Sequence, residues 1–116
     1  PETKQVVLRW VRWFKMHRDI LESDVVHLRR PDGRRLDCVL HVNPALDTKA
    51  MLVVYNPGDT ALEEEIEVPL AYTGLSATVR VAHEDAPAQT MQISGSNRIN
   101  LRVSVPPKRC TWFSFR

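Results

Sequence analysis

Hydrophobic and polar positions fall into two regimes along the chain. Between Val6 and Leu21, the residues Val6, Val7, Trp10, Val11, Trp13, Phe14, His17, Ile20 and Leu21 recur at three- and four-residue spacings. That is the period of a helix with one apolar face. Lys4, Arg9, Arg12, Lys15 and Arg18 fall largely on the remaining surface, and Glu2 and Arg18 suit the two ends of the helix dipole. The stripe is wide and aromatic, so it requires a sheet or another domain to cover it. Its expected docking face is Trp10, Trp13 and Phe14.

From Asp24 onward the period changes to two. Val25–Arg30 and Arg35–Val42 flank Pro31-Asp32-Gly33-Arg34, a hairpin signal in which Gly33 can take positive φ. Ala50–Tyr55 is an unbroken apolar run closed by Asn56-Pro57-Gly58-Asp59. Such a run reads as a strand buried on both faces. The strands around it mostly alternate and so are buried on one face only. They are Leu62–Leu70, Ala77–Ala82, Gln89–Ile93, Ile99–Val105 and Cys110–Phe115. Glu64 falls on the apolar side of its strand, which predicts either a rim position or an arginine partner. About eight short strands with turn signals at this spacing predict an antiparallel β-sandwich carrying one N-terminal amphipathic helix. The expected division is a docking helix over residues 1–22 and the sandwich over 23–116. No later segment carries a helical period long enough for a parallel crossover.

Composition narrows the function classes. The chain has 116 residues, 43% of them hydrophobic and 26% charged, which fits one globular domain. A net charge of +2 does not mark a nucleic-acid binder. No apolar run approaches the roughly 20 residues of a membrane span, and no signal-peptide pattern opens the chain. It begins at Pro1 and not at a methionine, which fits an excised or processed piece and leaves a parent's compartment open. Cys38 and Cys110 are too few for a disulfide framework and read as buried thiols, although one bridge between strands would be feasible.

No catalytic, cofactor-binding or metal-binding residue emerges. A two-residue turn at Asp32-Gly33 would set His27 opposite Cys38, the minimum for a thiolate nucleophile, but a structural pair is the plainer reading. Zinc would require a third ligand that is not near in sequence. Glu63, Glu65 and Glu67 share one strand face, unlike the separated carboxylates of glycosidases, and read as a solvated strand that discourages edge pairing. His17, His41 and His83 are isolated along the chain. Trp112, Tyr55 and Tyr72 are candidates for stacking a sugar, with core packing as the competing role. The basic aromatic helix could address nucleic acid or a membrane, but a sandwich needs a cover for its sheet, which favours docking.

The order of features resembles a known family. A helix with Trp10, Trp13-Phe14 and Arg18-Asp19-Ile20-Leu21 runs into Ser23-Asp24-Val25-Val26. A Pro-Asp-Gly hairpin, a strand ending in Tyr55-Asn56-Pro57 and a closing Thr111-Trp112-Phe113 follow. This is similar to the C-terminal end of β/α-barrel glycoside hydrolases of the α-galactosidase-like group, in which the last barrel helix leads into an antiparallel sandwich. The resemblance implies that the catalytic carboxylates lie upstream, on barrel strands outside this sequence. No catalytic residue carries over to any position here. It implies a non-catalytic accessory domain that supports the barrel, whose partners are that upstream barrel and carbohydrate. Neither nucleic acid nor membrane is expected, and no cofactor. The parent's compartment stays open, with extracellular, periplasmic and lysosomal locations all compatible. The alternatives are a stand-alone carbohydrate-binding module and a protein-interaction module using the helix.

Overall fold

A computed structural model describes residues 10–28, 35–75, 77–84 and 86–116, excluding the side chains of Asp24, His27 and Tyr72. Helical residues 10–16 (α1) pass through a turn at His17 into α2, Arg18–Leu21. Eight strands follow: β1 Asp24–His27, β2 Asp37–Val42, β3 Ala50–Tyr55, β4 Leu62–Pro69, β5 Thr78–His83, β6 Gln89–Gln92, β7 Arg98–Val105 and β8 Cys110–Phe115. One sheet has the order β1-β2-β3-β8-β5-β6, and a second pairs β4 with β7. All pairings are antiparallel. This is the mainly β sandwich that the alternating pattern predicts, with unequal layers.

Alternation places the core. Leu36, Cys38, Leu40, Leu52, Val54, Phe113 and Phe115 of the large sheet face Ile66, Val68, Ile99, Leu101, Val103 and Val105 of the small one. β7 alternates without a break, so one side is apolar and buried and the other is solvated. β3 sits inside the six-stranded order and is buried on both sides at Ala50, Met51 and Leu52. The second side is closed by the helix: Ile20, Met51 and Trp112 form a separate cluster, joined by Trp13, Leu21, Leu46 and Val53. A four-residue helix such as α2 is marginal alone in water, so this packing holds it in place.

The expected single helix Val6–Leu21 differs from the structure in its continuity. Residues 6–9 lie outside the described residues. At His17 the backbone leaves helical geometry (φ −112°, ψ 18°), and its N–H is shared between the Trp13 and Phe14 carbonyls at 3.1 and 3.2 Å. The hairpin turn at residues 31–34 also lies outside the described residues, but β1 and β2 do pair as neighbours.

Two polar side chains tie the layers together. Asn56 ends β3 fully buried, and its Nδ2 donates to the Thr60 and Val105 carbonyls, both at 2.9 Å. Its Oδ1 accepts the Gly58 N–H at 2.9 Å, making the turn that the Asn-Pro-Gly sequence predicts. Glu64, the break in the β4 pattern, reaches across to the large sheet. Its Oε2 accepts the Leu36 N–H at 2.7 Å and its Oε1 meets the Arg35 guanidinium at 3.2 Å. It therefore has the expected arginine partner, and it also satisfies the backbone just before β2.

Candidate functional site

The outer face of the large sheet carries the helix and the side chains with most chemical potential. Strand side chains alternate, so with Leu52, Val54, Phe113 and Phe115 in the sandwich, Met51, Val53, Tyr55, Trp112 and Ser114 face outward. The Trp13 ring lies 5.7 Å from Trp112 and the His17 ring 4.9 Å from it. Trp10 meets Trp13 edge-on at 5.4 Å. The three residues expected to dock thus divide. Trp13 packs on the sheet, while Trp10 and Phe14 remain 38% and 41% exposed, beside exposed Val11 and Met16.

The residues put forward for sugar stacking are distributed as follows. Trp112 is 7% exposed and is packed against Trp13 and His17. Tyr55 is 39% exposed on the same sheet face, where Val53 pairs with Trp112 and Tyr55 with Cys110. Residue 72 lies in the 3₁₀ turn Ala71–Thr73 after β4, and its side chain is outside the described set.

The cysteines offer no nucleophile. β1 pairs His27 with Val39 and not with Cys38, a one-residue correction to the expected register. A slip of one residue changes the face on which every side chain of a strand lies. Cys38 turns into the core, with its Sγ 3.7 Å from the Leu36 carbonyl. Both cysteines are free, so no bridge forms. Burial, helped by the charge of nearby Glu84, pushes the Cys110 thiol up and keeps it protonated. Among the described residues no three His, Cys, Asp or Glu side chains gather as a metal site. The outward acids of β4 are solvated, as expected, and two of them also pair across the sheet: Glu63 meets Arg102, and Glu67 meets Arg98.

Two groupings were not visible in the sequence. At one end of β5 and β8, His83 Nε2 lies 2.7 Å from Thr111 Oγ1, and that hydroxyl donates to Glu84 Oε2 at 2.6 Å. The His83 ring stacks on Phe113 at 4.6 Å. A hydroxyl has one proton to donate. With the Thr111 proton directed at Glu84, His83 must donate its Nε2–H to the threonine oxygen and cannot act as the base that would activate it. The trio is a structural relay, held by Glu84 in a left-handed conformation (φ 54°). The second grouping is a cleft of about 340 Å³ beside His17, lined by Arg80, Arg116, Trp112, Ser114, Thr48 and Glu84, among others. Both depend on β8 pairing with β5, a non-sequential contact that no local pattern signals.

No family model matches the chain, and no curated protein matches it. Among solved structures, it is similar in fold to part of a putative α-N-acetylgalactosaminidase from Bacillus halodurans C-125, with a TM-score of 0.55 and 12% identity. The match covers 78% of this chain and 20% of that one, so the chain corresponds to a domain-sized fraction of a longer protein. At that identity the likeness is one of fold.

Proposed function

We propose that this chain is a non-catalytic accessory β-sandwich domain of a glycoside hydrolase, held against a catalytic barrel that precedes it in the same parent chain. The observation that carries this reading is the division of the helix. Trp13, Ile20 and Leu21 are used by the sandwich, while Trp10, Val11, Phe14 and Met16 remain exposed on a contiguous stretch of sequence. Exposed aromatic side chains on an ordered helix mark a contact surface. The fold likeness to one fifth of a putative α-N-acetylgalactosaminidase supports a glycoside hydrolase as the parent.

The test compares one pair of substitutions in two settings. Trp10→Ser with Phe14→Ser should lower the melting temperature of the 116-residue chain only slightly, because both rings are more than a third exposed there and Trp10 loses one edge contact with Trp13. In the complete parent chain the same pair should destabilise the joined domains by roughly 2–4 kcal/mol, the scale of two buried aromatic contacts. An unchanged parent would remove the basis for this reading. The same face would also serve an interaction module that binds a separate protein, and in that case the 116-residue chain would self-associate or capture its partner without a barrel.

A further inference from the structure

Arg80 and Arg116 stand directly opposite each other at the edge of the cleft. Each backbone N–H donates to the other's carbonyl, both at 2.9 Å, so they form a hydrogen-bonded antiparallel pair whose side chains leave the same face. Val81 and Phe115, their neighbours in register, point into the core, which sends both arginines to the outer side. Like charges placed directly opposite in a sheet oppose folding. Three other arginines meet acids: Arg98 meets Glu67, Arg102 meets Glu63 and Arg35 meets Glu64. Arg80 and Arg116 have no such partner among the described residues. The carboxylate that shares their cleft, Glu84, already accepts from Thr111. Two guanidiniums facing one space can each donate to one oxygen of a carboxylate. The rest of the wall is suited to a sugar: Trp112 and three alanines (Ala82, Ala86 and Ala88) give apolar surface, and the Thr48 and Ser114 hydroxyls give hydrogen-bonding groups.

We propose that this cleft binds an acidic sugar residue, a uronate, with its carboxylate held across Arg80 and Arg116 and its ring over Ala82, Ala86 and Ala88, beside the edge that the buried Trp112 presents to the cleft. The inference deepens the carbohydrate-enzyme reading by naming the class of sugar that the domain would hold beside the barrel. It rests on the cleft and not on the exposed helix face.

The test is a titration of the isotope-labelled chain at low salt, followed by NMR, with galacturonate, glucuronate, galactose and inorganic phosphate. The expected result is saturable shifts of the Arg80 and Arg116 Nε–H and Trp112 indole N–H signals with a uronate. Galactose and phosphate should bind more weakly. Arg80→Gln and Arg116→Gln should each weaken uronate binding about tenfold, the loss of one charge-assisted contact. Arg102→Gln removes the same charge from the other sheet and should change nothing. Three results would overturn the proposal: no shift with either uronate, galactose binding as tightly, or phosphate matching the uronates, which would make the cleft a general anion site. Any of them would leave the docking test to be decided on its own substitutions.

Discussion

The indole of Trp13 lies 5.7 Å from that of Trp112, tilted by 54°, and this contact joins the first element of the described chain to its last strand. Trp13 is half-buried, so Trp13→Ala should destabilise the chain by about 2 kcal/mol, less than for a fully enclosed ring. A urea titration followed by tryptophan fluorescence checks this. A change within error would mean that the helix is not held by the sheet.

Asn56 should be the most sensitive polar position. It is fully buried, and its amide serves three backbone partners. Asn56→Ala leaves the buried Val105 carbonyl without this donor and should cost about 2–3 kcal/mol. Asn56→Asp replaces the donating nitrogen with an oxygen facing two carbonyls and should cost more at neutral pH. Denaturation midpoints of the two variants give the order.

At Glu64 the acceptor should outweigh the charge. Arg35 is largely exposed, so that ion pair is screened. Glu64→Gln keeps an oxygen for the Leu36 N–H and should cost less than about 1 kcal/mol, whereas Glu64→Ala should cost about 1–3 kcal/mol. Equal losses in the two variants would assign the effect to the charge.

His41 should make the helix–sheet contact sensitive to acid. Its Nδ1 is buried without a partner, and it lies on β2 between Val25 and Met51 in register. Burial holds its pKa below the ordinary 6.5, with hydrogen bonding toward the Leu21 backbone pulling the other way. The unfolded chain therefore takes up the proton first as pH falls. The stabilisation is complete above about pH 6.5 and is lost on descending from there through the folded-state pKa. Melting temperatures from pH 8 to pH 5 should fall less steeply in His41→Leu than in the parent sequence. Parallel curves would dissociate His41 from the effect.

The strands were legible wherever burial was one-sided. Ile99, Leu101, Val103 and Val105 alternate with polar residues because β7 has one dry face and one wet face. The run Ala50–Tyr55 was legible as a strand with two covered faces because the small sheet and the helix bury Ala50, Met51 and Leu52, while Tyr55 at its end is exposed. The register of β1 on β2 was not legible, because it depends on a connection whose parity the Pro-Asp-Gly signal leaves open. The site was less legible than the fold. Trp112 reads from the sequence as core more than as a stacking platform, and Trp13 and His17 are found against it. The opposed arginines and the His83–Thr111–Glu84 relay arise from β8 lying between β3 and β5, an order set by long-range packing.

The most direct measurement is a glycosidase assay of this 116-residue chain beside the complete product of its gene, with a panel of chromogenic glycosides. The account predicts no turnover above background by the chain alone and turnover by the complete product. Hydrolysis by these residues alone, abolished by changing one of their side chains, would contradict it.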